Sequence, residues 1–363
     1  YGRERRNRIV IDRQGVRPEV DDRNRDILGY RLLGTPGQRR GIDLRNHGRR
    51  SIDLEVGDIR RGLLDGATLD DPVERVMNYA FTAVWDDDDP MTTLATLREA
   101  RAKGIKLLPR IDSEGSLTDI IDLTRQTSLL PLSAILMAGG MGERLRPLTL
   151  TTPKPLLEID GRPIIDYNIE RLARAGITDV TVTVRYLADQ IRHYFATPRH
   201  GIRVKCVEET KPLGTIGSAA LVERPDEGCT LVMNSDLLTT IDLEEMFLRH
   251  TSLGADITIA AIPYTVSVPY AILTTEGQQV TALQEKPTYS HFANAGIYIF
   301  SNVVLNSLNP DERTDATTLI EAAMQQGMKV TYYPISGTWI DIGSPADFAH
   351  AQELMKHHRT IGA

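Results

Sequence analysis

From Ala134 to His250 the chain repeats one pattern, a short apolar run followed by an amphipathic segment of helical period. The spacing predicts strands over 134–138, 180–184, 204–208 and 230–233. Helices are predicted over 164–175, 188–195, 215–222 and 243–250. Strands alternating with helices of this length can bury both faces of a sheet only by crossing over it, which makes neighbouring strands parallel. This constrains the fold more than anything else in the chain. Beyond Asp256 the pattern becomes β-rich, with segments near 256–262, 269–274, 279–285 and 293–300. A helix over 315–326, a strand over 329–334 and a last helix from Pro345 to about His357 follow. Ser344 is suited to cap that helix, and Pro345 to open it.

At 363 residues the chain exceeds one ordinary core and predicts at least two domains. No apolar run reaches the 18 or so residues of a membrane span, and the first residues, YGRERRNR, lack the apolar core of a secretory signal. Cys206 and Cys229 have neither CxxC spacing nor clustered histidines, so a disulfide scaffold or zinc site is not expected and a cytoplasmic setting is. The first fifty residues hold fourteen arginines and seven acids, a formal +7, whereas the whole chain carries −7. Those arginines alternate with acids and have no aromatic stacking set beside them, so nucleic-acid binding is not expected. In the first third, helices are predicted over 57–66, 92–103 and 117–125 and a strand over 105–111, with SLLPLS (128–133) as a linker.

The stretch AGGMGERLRPLTLTTPKPL (138–156) leaves the first strand of the repeat. Glycines there let backbone N–H groups converge on a phosphate. The GxxxxGK[ST] loop is excluded, since no lysine follows Gly142 before Lys154. The dinucleotide fingerprint also fails, with Leu145 where its third glycine belongs and Pro147 breaking the receiving helix. What remains is a glycine loop followed by Arg144, Arg146 and a Lys154 braced between two prolines, a set of fixed cations suited to a triphosphate.

The stretch closely resembles the AGGxGxRLxPLTxxxPKPLL signature of the sugar-1-phosphate nucleotidyltransferases. The resemblance covers about residues 133–358 and implies a doubly wound, mixed but mostly parallel α/β sheet of the GT-A or Rossmann-like kind. It implies that Ala138, Gly139, Gly140 and Gly142 cradle the nucleotide, that Arg144 stabilises the leaving pyrophosphate and that Lys154 binds phosphate. ETKPLGTIGSAAL (209–221) resembles the base- and ribose-contacting stretch, placing Glu209, Gly214 and Thr215 there. VMNSDLL (232–238) resembles a VxNGDxL strand end whose aspartate, Asp236, holds Mg²⁺, with Ser235 in place of the glycine. EKP (285–287) and NAGIYIF (294–300) imply sugar-phosphate contacts through Glu285, Lys286, Asn294 and Gly296. WIDIGSPADF (339–348) implies a second metal carboxylate, Asp341. The family's YG pair in the sugar pocket is here Tyr270-Ala271.

The implied reaction joins a sugar 1-phosphate to a nucleoside triphosphate and releases pyrophosphate. Glu209 stands where uridylyl and thymidylyl members carry Gln. A carboxylate only accepts hydrogen bonds and suits the paired N1–H and N2–H donors of guanine, so GTP is favoured over CTP, UTP or dTTP. Mannose 1-phosphate and an amino-sugar phosphate are both open as the sugar. A non-catalytic nucleotide-sugar sensor is the alternative, while a GT-A glycosyltransferase would need a DxD motif that Asp236-Leu-Leu does not supply.

GDIRRGLLDGATLDDPVERVMN (57–78) resembles the join between two cystathionine-β-synthase (CBS) repeats, and GIKLLPRIDSEGSLTDIIDL (104–123) the end of the second. The resemblance implies an α+β CBS-like regulatory or oligomerising domain over 1–128, poorly matched over 1–56, and a transferase domain over 133–363. It implies a homo-oligomer and an adenosine nucleotide near Asp58, which Glu55 would oppose electrostatically.

Overall fold

The computed structural model describes residues 81–361 except 115, together with the short pieces 9–12, 15–18 and 64–66. The chain divides into two compact units, Tyr1–Leu123 and Thr124–Ala363. Asp58, Glu55 and most of the helix expected over 57–66 lie outside the described residues. No helix among the described residues is long and apolar enough to cross a membrane.

In the first unit, Val84–Trp85 pairs parallel with Leu107–Ile111, which pairs antiparallel with Leu117–Asp122. The helix Pro90–Ala102 joins the first two and buries Leu94, Leu97 and Ala100. It starts two residues before the expected Thr92, because Asp89 caps it by accepting from the N–H groups of Met91 and Thr92 at 2.9 and 3.1 Å. The helix expected over 117–125 is instead a strand. The Asp112 side chain accepts from the N–H groups of Glu114 (3.0 Å) and Ser116 (2.8 Å) and turns the chain back on itself. Ile121 and Leu123 are then buried with Asp122 between them, a strand's spacing.

The second unit is built on one seven-stranded sheet. In chain order its strands are β1 (Leu132–Ala138), β2 (Val180–Val184), β3 (Lys205–Glu208), β4 (Cys229–Asn234), β5 (Ile257–Ser267), β6 (Thr288–Ser301) and β7 (Val330–Pro334). Their spatial order is β3-β2-β1-β4-β6-β5-β7. Only β6 runs against the rest, pairing antiparallel with both β4 and β5. The doubly wound, mostly parallel sheet expected from the alternation is therefore present. Both faces of its central strands are covered: every residue of β2 is buried, Thr181 and Thr183 included.

Helices α1 (Ile164–Arg174), α2 (Ala188–Tyr194), α3 (Leu243–Leu253), α4 (Ala316–Gln325) and α5 (Pro345–Ile361) complete the unit. Ile135 of β1, Val232 of β4 and Phe300 of β6 pack with Leu319 and Ile320 of α4 in one core. The Ser344 hydroxyl accepts from the Asp347 N–H and donates to its carboxylate, so the expected cap of α5 is present. The expected helix over 215–222 shrinks to a single 3-10 turn, Gly217–Leu221. Ile216, at φ −139° and ψ −15°, is off the helical backbone, and its N–H and that of Gly217 bond across to the Thr314 carbonyl. SLLPLS is not a free linker either. The N–H groups of Thr127 and Ser128 bond the Arg174 carbonyl, and that of Leu130 bonds the Ala175 carbonyl, fastening this segment to the end of α1.

From Pro263 to Ser267 β5 pairs only with residues 288–292 of β6. This ribbon and the hairpin Ile272–Glu276/Gln279–Gln284 form an exposed arm carrying Glu285 and Lys286.

Candidate active site

The chain runs outward from β1 in two directions, to β2 and β3 on one side and to β4 on the other. A crevice opens at such a reversal, at the carboxyl ends of the strands. Here it is a cavity of about 600 Å³, and every strand that borders it sends in a chemically distinct group. The glycine loop follows β1, Arg185 follows β2, Glu209 follows β3, and Asn234, Ser235 and Asp236 close β4.

The loop after β1 is held by its apolar residues. Leu145 is 1% exposed and sits in a core with Leu157, Ile164, Leu238, Ile340 and Ile342, which leaves its neighbour Arg144 free to border the cavity. The Arg144 guanidinium crosses Gly343 so closely that a Cβ there would lie 2.9 Å from its Nη2. Lys154 opens a 3-10 turn between Pro153 and Pro155, both buried, so its backbone is fixed on either side.

Asp236 and Asp341 meet although 105 positions separate them in sequence. The strand Leu237–Thr239 pairs antiparallel with Trp339–Asp341, setting Leu237 opposite Asp341. Ile340 and Ile342 are buried on either side of Asp341, and alternation turns its carboxylate the other way. The Lys154 ammonium is ion-paired with Asp236 Oδ2 and lies 3.6 Å from Asp341 Oδ1. Burial and the Asp236 charge hold the Asp341 carboxyl above its ordinary value, against the pull of Lys154 and Arg144. Asp236 Oδ1 is buried and has no hydrogen-bond partner. Two carboxylates, one with an unsatisfied buried oxygen, fit a hard divalent cation that completes its shell with phosphate and water.

Ser235, in the position of the expected glycine, has no left-handed backbone. Its hydroxyl donates to the Met137 carbonyl at 2.7 Å, stitching the Asp236 turn to the end of β1. Asn168 of α1 donates to the Ser235 carbonyl from beneath at 3.3 Å.

Glu209 is 6% exposed, and its Oε2 accepts from the Leu213 N–H at 3.4 Å. Burial raises its carboxyl above the ordinary value, overriding the Leu213 N–H, Ser218 and the Arg185 charge. Its carboxylate lies flat against Gly139, where a Cβ would come within 2.5 Å of Oε1. Gly139 therefore makes room for Glu209 as well as opening the loop. Gly214 has φ +85°, and a Cβ there would meet the Thr314 carbonyl at 2.4 Å. Thr215 accepts from the Ala316 N–H through its hydroxyl and donates its own N–H to Asp315, locking this turn to the start of α4.

Ten expected residues border one cavity: Ala138, Gly139, Gly140, Gly142, Arg144, Lys154, Glu209, Gly214, Thr215 and Asp236. Asp341 joins them through Lys154. Asn294 and Gly296 stand one layer back. Asn294 accepts from the Gly296 N–H and donates to the Tyr298 hydroxyl, while Gly296 abuts Asn234 of the cavity wall. Glu285 and Lys286 do not border the cavity and are exposed on the arm. The lining also includes Arg185 and Arg313, which sequence reasoning missed. Arg185 carried one usable signal, a cation directly after a fully buried strand.

A glycine loop, fixed cations and a carboxylate pair at the switch point of a parallel sheet define a nucleotide-binding α/β domain built to handle phosphate. The Nucleotidyl transferase family profile matches residues 133–358, more than half of the chain, and the chain belongs to that family. Mannose-1-phosphate guanyltransferase beta-A of Xenopus laevis is 33% identical over 226 residues, covering 60% of this chain and 62% of that relative. The D-glycero-alpha-D-manno-heptose 1-phosphate guanylyltransferase of Aneurinibacillus thermoaerophilus is 33% identical over 231 residues, covering 62% of this chain and 100% of its own. A Bacillus anthracis protein assigned as a glucose-1-phosphate thymidylyltransferase, solved with a sucrose, shares the fold. Its TM-score is 0.51 at 22% identity, over 61% of this chain and 94% of its own.

Proposed function

We propose that this protein is a sugar-1-phosphate guanylyltransferase, converting a sugar 1-phosphate and GTP to a GDP-sugar and pyrophosphate. The observation that carries the reading is the convergence of Lys154, Asp236 and Asp341 beside the glycine loop, with Asp236 Oδ1 buried and unpartnered. A phosphate oxygen of the sugar attacks the α-phosphorus of GTP as the bond to the pyrophosphate oxygen breaks, so no covalent enzyme intermediate is needed. Catalysis then consists of positioning and electrostatic stabilisation. Lys154 offers its ammonium to the phosphate under attack, and Arg144 offers its guanidinium to the departing pyrophosphate. Asp236 and Asp341 would hold Mg²⁺, which supplies neutralisation of phosphate charge.

Glu209 accepts from guanine N1–H and N2–H, and Arg185 beside it offers donors to O6. Both relatives are named guanyltransferases of manno-configured sugar phosphates, which supports GTP and a manno-configured substrate. Glu285 and Lys286 on the exposed arm, with the Asn294–Gly296 turn, are assigned to the sugar-phosphate side. Pyrophosphate release measured for each nucleoside triphosphate against a panel of sugar 1-phosphates tests the reading. Preference for dTTP or UTP overturns the choice of base, and release with no pair overturns the activity.

The proposal extends to a CBS-like domain over 1–128 that takes an adenosine nucleotide and regulates a cytoplasmic homo-oligomer. Calorimetry of the full chain with AMP and ATP, and light scattering, test those two parts.

A further inference from the structure

The Asp236–Asp341 pair faces a side-chain cation: the Lys154 ammonium sits on Asp236 Oδ2 and 3.6 Å from Asp341 Oδ1. The Lys154 and Asp236 side chains are 12% and 20% exposed, so neither charge is screened as it would be in open water, while Asp341, 39% exposed, is the open side of the cluster. Two facing carboxylates repel, and Lys154 is the group that offsets this. It does so incompletely, since Asp236 Oδ1 stays buried without a donor. A divalent cation on this pair would compete for the same Oδ2 that the ammonium holds.

We propose that Lys154 and the divalent cation exchange places on the Asp236–Asp341 pair, so that in the nucleotide-free protein the lysine occupies the cation's position and must leave before the metal binds. The inference rests on the reading of these carboxylates as the metal site of a nucleotidyltransferase. The lysine backbone is braced by Pro153 and Pro155, so the exchange is a swing of the four-carbon stem about a fixed Cα. A triphosphate in the glycine loop gives the released ammonium a new anionic partner. Metal and nucleotide therefore each favour the other's binding, through one side chain that cannot serve both anions at once.

The test is Mn²⁺ binding to the full chain without nucleotide, followed by electron paramagnetic resonance, in wild type, Lys154→Met and Lys154→Gln. Circular dichroism reports whether each variant is folded. Both variants should bind Mn²⁺ about tenfold or more tightly than wild type. Affinity equal to or below wild type in the folded variants overturns the exchange. A second readout needs no variant: the rate of acetylation of Lys154 by acetic anhydride, followed by mass spectrometry. It should rise severalfold when Mn²⁺ is added to nucleotide-free wild type, and an unchanged or slower rate overturns the exchange. Failure of wild type to bind Mn²⁺ even with GTP present is a different result. It removes the metal-site reading itself, and this inference with it.

Discussion

Replacing Gly139 by Ala tests whether the buried carboxylate chooses the base. The new Cβ would lie 2.5 Å from Glu209 Oε1 and 3.1 Å from its Cδ, against ordinary contact from 3.4 Å outward, so the carboxylate must retreat by about 0.9 Å. Glu209 has little room for that, being 6% exposed and tied to the Leu213 N–H. Overpacking of this kind costs about 1–3 kcal/mol of stability. A misplacement near 1 Å costs up to about 100-fold in rate, so kcat/KM for GTP should fall about 10- to 100-fold. ITP, which lacks the N2 amine, separates displacement of Glu209 from general damage. One hydrogen bond to a charged acceptor gives wild type a GTP-over-ITP preference of about 10- to 100-fold. In Gly139→Ala that ratio should collapse toward unity, with ITP turnover falling less than GTP turnover because ITP has only the N1–H bond to lose. Pyrophosphate release under matched conditions reads both numbers. An unchanged GTP-over-ITP ratio in Gly139→Ala refutes the role given to Glu209. In the double variant with Glu209→Ala the stability cost should be strongly non-additive, because the clash is gone.

Three further outcomes follow from the same geometry. Asp236→Asn and Lys154→Ala should each lose most turnover and keep native circular dichroism, and near-wild-type pyrophosphate release in both would remove the catalytic assignment. Gly214→Ala combines a φ of +85° with a Cβ 2.4 Å from the Thr314 carbonyl, so denaturant unfolding should show a loss of about 3 kcal/mol or more; a loss within about 0.5 kcal/mol would mean the turn relaxes freely. Burial raises the Glu209 carboxyl above its ordinary value, so the folded protein keeps that proton to higher pH than the unfolded chain. Ionising Glu209 therefore costs stability as pH rises through the ordinary carboxylate range, with the full cost present above the raised value. Glu209→Gln should gain thermal stability over wild type at about pH 8 and lose that advantage near pH 4.5; an advantage that does not change across this window would refute the sign.

The sheet was legible because its strands are buried on both faces, and runs such as Ala134–Ala138 state that directly. The glycine loop was legible because its residue types and spacing are chemically demanding. Boundaries were harder where a side chain decides them: Asp89 and Asp112 reset two elements in the first unit through backbone N–H groups. The turn at 217–221 depended on Thr314, about a hundred residues away, which no local period can report. Asp341 carried no signal from spacing, since only its strand partner Leu237 brings it to Asp236. Ser235 shows the opposite case, a departure from pattern that the structure turns to use through the Met137 carbonyl.

The pairing of Leu237–Thr239 with Trp339–Asp341 also sets a clock on completion of the site. On the ribosome the glycine loop, Lys154, Glu209 and Asp236 all emerge before the 105 positions that separate the two aspartates have been made. At ordinary synthesis speeds that interval lasts about 5–20 s. Through it the nascent domain holds Lys154 and Asp236 but owns only half of its acid pair, and it still lacks Thr314 and Asp315, which fix the turn after Gly214. The site's electrostatic competence thus arrives late, delivered by a three-residue strand from near the other end of the domain.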